Sequence, residues 1–67
     1  MTLRQIRKAK EISQGKMAEL LGVHVNTYIH MEKNPDKIPL CYAIKICEIF
    51  GIEPDFIIFL PFNSTNT

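Results

Sequence analysis

Sixty-seven residues make one small domain, near the lower limit of what folds unaided. An apolar share of 46% is ordinary for a globular chain and excludes intrinsic disorder. The net charge of +1 argues against a general polyanion binder, but residues 1–37 carry seven Lys/Arg against four Asp/Glu, whereas residues 38–67 carry one against three.

Thr2 is the expected N-cap of a first helix, with Leu3, Ile6 and Ala9 on one side and Arg4, Arg7, Lys8 and Lys10 mostly on the other. Ser13 caps a second helix, SQGKMAELL, with Met17, Leu20 and Leu21 inward and Ala18 small enough for close packing. Gly22 ends it as a left-handed residue. A third helix starts at about Val23–His24 and runs to Lys33, where Asn34-Pro35-Asp36 stops it and turns the chain. Its sequence, GVHVNTYIHMEKN, has no clean apolar stripe, because Val25, Tyr28, Ile29 and Met31 alternate with His24, Asn26, Thr27 and His30. Pro39 suits the first position of a fourth helix, LCYAIKICEIF, with Leu40, Ala43, Ile44, Cys47 and Phe50 at helical spacing and Gly51 as its C-cap. Glu53-Pro54-Asp55 then begins a short fifth helix that Pro61 terminates, although the β preference of Ile-Ile-Phe-Leu makes a strand the alternative for 56–62. The expectation is a compact all-α domain of five helices over residues 1–62, followed by a frayed polar tail at 63–67.

Several functions are excluded. Cys41 and Cys47 on one helix are rotated by about 240° and face apart, so no bridge closes. Cys47 suits the core and Cys41 is incidental. His24 and His30 lack partners at zinc spacing, and no metal is expected. The basic N-terminus is not followed by an apolar run of signal-peptide length, and FIIFLPF is too short to span a bilayer, so a cytoplasmic location is expected. There is no Ser/His/Asp set and no Gly-rich phosphate loop, which argues against an enzyme; no cofactor and no small-molecule ligand are expected. The run Phe56 to Phe62 is too apolar to be all core in so small a domain, so it is expected to bury against a second chain through Ile57, Phe59, Leu60 and Phe62.

A connection as short as Gly22-Val23-His24 between two helices suits a helix-turn-helix. The residues Ser13-Gln14-x-x-Met17-Ala18-x-x-x-Gly22-Val23-His24-x-x-Thr27-Tyr28-x-x-x-Glu32-x-Asn34 resemble the Cro/C1-type (XRE) helix-turn-helix repressors of phages and mobile elements. That family's pattern is S-Q-x-x-L-A-x-x-x-G-V-S-x-x-T-I-x-x-x-E-x-G. The downstream IPLCYAIKICEIFGIEPDFI resembles its fourth and fifth helices, so the likeness runs from Leu3 to about Leu60. His24 stands where the family has a capping Ser, Tyr28 where it has a buried Ile, and Asn34 where it has a Gly, a residue type that tolerates the left-handed region.

The resemblance implies a lambda-repressor-like fold with helices 2 and 3 as the helix-turn-helix, and a homodimeric repressor on a near-palindromic double-stranded operator in a bacterial or prophage setting. It implies base readout by Val25, Asn26 and His30, with Ile29 near that face. Gln14, Thr27, Lys33, Asn34 and Lys37 are the implied backbone contacts. Arg7 and Glu32 are the implied ion pair between first and third helix, with the remaining Arg7 donors open to a phosphate. The alternatives are plainer: Val25 folded under as a staple, His30 simply exposed, and the basic first helix a solvated face. An alternative of another class is a protein-interaction module on the same fold, such as an antitoxin or anti-repressor.

Overall fold

The computed structural model describes residues 2–53 and Phe59. Four helices follow in order, α1 (Leu3–Ala9), α2 (Gln14–Leu21), α3 (Val25–Lys33) and α4 (Leu40–Phe50), with a 3-10 turn at Pro35–Lys37. No strand occurs among the described residues, so the all-α expectation holds over them. The fifth helix and the contacts Ile57, Leu60 and Phe62 expected within 56–62 lie outside them.

Each of the first three helices opens on a side-chain cap. Thr2 and Gln5 form a reciprocal box, the Gln5 N–H donating to Thr2 Oγ1 at 3.2 Å and the Thr2 N–H to Gln5 Oε1 at 2.8 Å. Ser13 Oγ accepts the Lys16 N–H at 3.0 Å. His24, the poorest capping residue by type, still accepts the Asn26 N–H through Nδ1 at 3.2 Å, so α3 begins at Val25 and not a residue or two earlier. Pro39 likewise stands just before α4 as its cap residue rather than inside it.

Three helices end by one device. A residue in the left-handed region follows the last turn, and the next N–H reaches back five residues to a carbonyl: Ile12 to Arg7, Val23 to Ala18, Ile52 to Cys47. Ile12, Val23 and Ile52 are all partly buried against the core, so each stop also aims an apolar side chain inward. The left-handed residue is Gly22 at φ 73° and Gly51 at φ 70°, but after α1 it is Glu11 at φ 59°. Asn34 does not adopt this conformation; its φ is −132°, because Pro35 restricts the residue before it to extended backbone.

At seven to eleven residues these helices are too short to persist alone. Packing decides the fold. The core collects Leu3 and Ile6 of α1, Met17, Ala18 and Leu21 of α2, Tyr28 and Met31 of α3, and Ala43, Ile46, Cys47 and Phe50 of α4. Phe59 joins it from beyond α4 at 7% exposure, so a ring expected at a dimer contact packs within its own chain. α2 packs most extensively on α3, and α4 closes against α2.

Four expected inward positions face out. Ala9 is exposed, as is Leu20. On α4, Leu40 and Ile44 are 59% and 43% exposed, and Ile46 takes the inward place. The inward stripe 43, 46, 47, 50 and the expected stripe share three positions. Because α4 is apolar on more than one face, spacing alone did not choose between them.

Candidate nucleic-acid interface

The short connection Gly22-Val23-His24 turns α2 into α3, and a carboxylate fixes the angle between them. Glu32, near the C-terminal end of α3, has a side chain only 4% exposed and meets three donors from three elements. Arg7 Nε of α1 donates to Oε2 in an ion pair. The Tyr28 hydroxyl, one turn back on α3, donates to the same oxygen at 2.7 Å. Gln14 Nε2, at the start of α2, donates to Oε1 at 3.0 Å. Arg7 is itself 7% exposed and gives Nη1 to the Ile12 carbonyl at 2.7 Å, so two of its donors serve the interior.

Burying these charges costs several kcal/mol per ion, which an ion pair by itself seldom repays. Here every buried side-chain nitrogen and oxygen among the described residues has a partner. The protonation states follow. Burial pushes the Glu32 carboxyl up, but hydrogen bonds from Arg7, Tyr28 and Gln14 and the Arg7 charge outweigh it and hold the carboxyl below its usual range. Tyr28 is pushed far up, first by burial and then by its bond to the Glu32 carboxylate, so it stays a donor.

With Tyr28, Met31 and Glu32 turned inward, the other edge of α3 is left to solvent. Val25, Asn26, Thr27, His30 and Lys33 are exposed and Ile29 is half-buried. Val25, at 36% exposure, is not folded under. Thr27, His30, Asn34 and Lys37 line one open groove of about 360 Å³ between α3, the 3-10 turn and the start of α4. Asn34 Nδ2 also donates to the His30 carbonyl at 3.3 Å, tying the end of the helix to the turn. Gln14 stands apart from this set, because one hydrogen of its amide is held by Glu32.

Two interactions escaped the sequence. The Tyr28–Glu32 bond had a visible signal, four residues on one helix, but burial of the hydroxyl depends on packing. The Gln14–Glu32 bond joins two helices and had none. Among the described residues no group of three or more His, Cys, Asp or Glu could hold a metal ion, and no helix is long and apolar enough to cross a membrane. Both cysteines are free, Cys41 exposed and Cys47 buried.

Comparison with known proteins agrees with this geometry. A helix-turn-helix family model, HTH_3, matches residues 3–57. No curated protein and no solved structure matches the chain.

Proposed function

The chain belongs to the Cro/C1-type (XRE) helix-turn-helix family of DNA-binding transcription regulators, and from that premise we propose that it is a sequence-specific repressor that binds its operator as a homodimer, with α3 in the major groove. The observation that carries the reading is the division of α3 into a buried edge, Tyr28, Met31 and Glu32, and an exposed polar edge. Along the second edge, Asn26 bonds adenine in a bidentate way, Val25 and Ile29 pack on thymine methyl groups, and His30 donates to guanine. Thr27, Lys33, Asn34 and Lys37 contact the backbone, as does Gln14 through its second amide hydrogen.

Two-fold symmetry sets the recognition helices about 34 Å apart on a near-palindromic operator. The dimer contact read from the sequence is Ile57, Phe59, Leu60 and Phe62; with Phe59 buried in its own core, the contact we propose is Ile57, Leu60 and Phe62. The proposed setting is the cytoplasm of a bacterium or a prophage-carrying cell.

Selection of bound sequences from random duplex DNA at moderate salt should enrich a near-palindromic site. No enrichment would end the reading. Asn26→Ala should weaken binding to the enriched site by about tenfold, the low-to-middle range for a bidentate base contact, and leave non-specific binding and folding intact. Sedimentation at micromolar concentration should give about twice the 7.7 kDa chain mass; a monomer there would remove the dimer from the proposal.

A further inference from the structure

His24 has no place in the reading so far. It lies outside the core, and neither base nor backbone contact has been assigned to it, yet it immediately precedes Val25 and Asn26. Its cap bond fixes more than the start of the helix. Nδ1 accepts the Asn26 N–H, and an imidazole nitrogen accepts only through a bare lone pair. In the neutral ring the proton is then on Nε2. The two nitrogens lie on opposite sides of the ring, so holding Nδ1 against the backbone turns the Nε2–H away from it. The residue is exposed, and among the described residues no acceptor meets Nε2. A serine cap keeps its one remaining donor, the hydroxyl hydrogen, close against the backbone it satisfies. The imidazole caps with one atom and carries a second, oriented donor beyond it.

We infer that His24 is a DNA-contacting residue, its Nε2–H donating to a phosphate oxygen at the edge of the groove that α3 enters. The inference rests on the DNA-binding reading above. The cap bond holds the ring outside the first turn, behind Val25 and Asn26, which suits a backbone contact rather than a base edge. A neutral donor of this kind adds direction, not attraction. It fixes how the first turn of α3 sits against one strand, a positioning contact with no sequence information of its own.

Two measurements test it. In the free chain at about pH 8, long-range 15N–1H correlation should give the Nε2–H tautomer for His24; the Nδ1–H tautomer overturns the inference. On duplex DNA, His24→Ser keeps a capping oxygen and removes the donor at the far side of the imidazole, leaving only a hydroxyl close to the backbone. Affinity should fall about tenfold or more, the range of one hydrogen bond to a charged acceptor. The loss should be equal on the enriched site and on unrelated duplex, and the slope of log affinity against log salt should not change, because a neutral group releases no counterion. Unchanged affinity overturns the inference. A slope smaller by about one, the mark of a cation, does so as well, as does a loss confined to the enriched site. Failure of the underlying reading is distinguishable, because the wild-type chain then enriches no site before any variant is made.

Discussion

Glu32 is the residue on which the molecule is most dependent, because three elements meet at its two oxygens. Glu32→Ala leaves Arg7 charged, buried and without its carboxylate, and should cost about 3–5 kcal/mol in urea unfolding. Replacing Arg7→Met, Glu32→Leu and Tyr28→Phe together removes the stranded charge and the hydroxyl that Glu32 satisfied, and should recover part of that loss; a triple variant as weak as Glu32→Ala would show that the network stabilises in its own right. Glu11 is a smaller, opposite case. It holds φ 59° with a Cβ, and Glu11→Gly should raise stability by about 0.5–1 kcal/mol, read as a higher urea midpoint at unchanged slope. The sequence carried these residues unequally. Arg7 and Glu32 were readable only through the family resemblance, and Asn34 stands where the family has Gly and tolerates the left-handed region, yet before Pro35 it is extended, while Glu11 adopts that region unannounced.

At the scale of elements the helices themselves were legible because their ends are local chemistry. Thr2, Ser13, Gly22 and Gly51 cap or stop the chain through groups within a few residues of one another. The inward face of a helix is not local. α4 offers two overlapping apolar stripes, and its packing against α2 and the rest of the core turns Ala43, Ile46, Cys47 and Phe50 inward. The selection can be measured. Leu40→Lys and Ile44→Lys should each change stability by less than about 0.5 kcal/mol, as surface changes do. Ile46→Ala, fully buried, should cost about 2–4 kcal/mol. Equal costs at the three positions would mean that α4 is turned differently. The exposed edge of α3 was legible through the family resemblance, which put Val25, Asn26 and His30 outward, while the bonds of Gln14 and His24 depend on neighbours that the motif does not reveal.

For the whole molecule, the buried network sets the pH range of the fold from both sides. Glu32 has a depressed carboxyl in the folded chain, so its contribution is present above the ordinary carboxylate value of 4.5 and is lost as pH falls through the lower folded value. Tyr28 is raised, so its contribution is present below the ordinary value of 10.0 and is lost on the alkaline side. Urea midpoints measured against pH should form a plateau between these limits. Glu32→Gln should flatten the acid edge, and an acid edge of unchanged steepness in that variant would assign it to other carboxylates. The division of α3 reaches beyond stability. The side chains that tie α3 to the core lie on one edge of the helix, in Tyr28, Met31 and Glu32, and the opposite edge is largely exposed. Mutations at Val25, Asn26, Thr27, His30 and Lys33 are thereby released from selection for foldedness, and descendants of this chain can drift to new recognition preferences through single exchanges without passing through an unfolded ancestor.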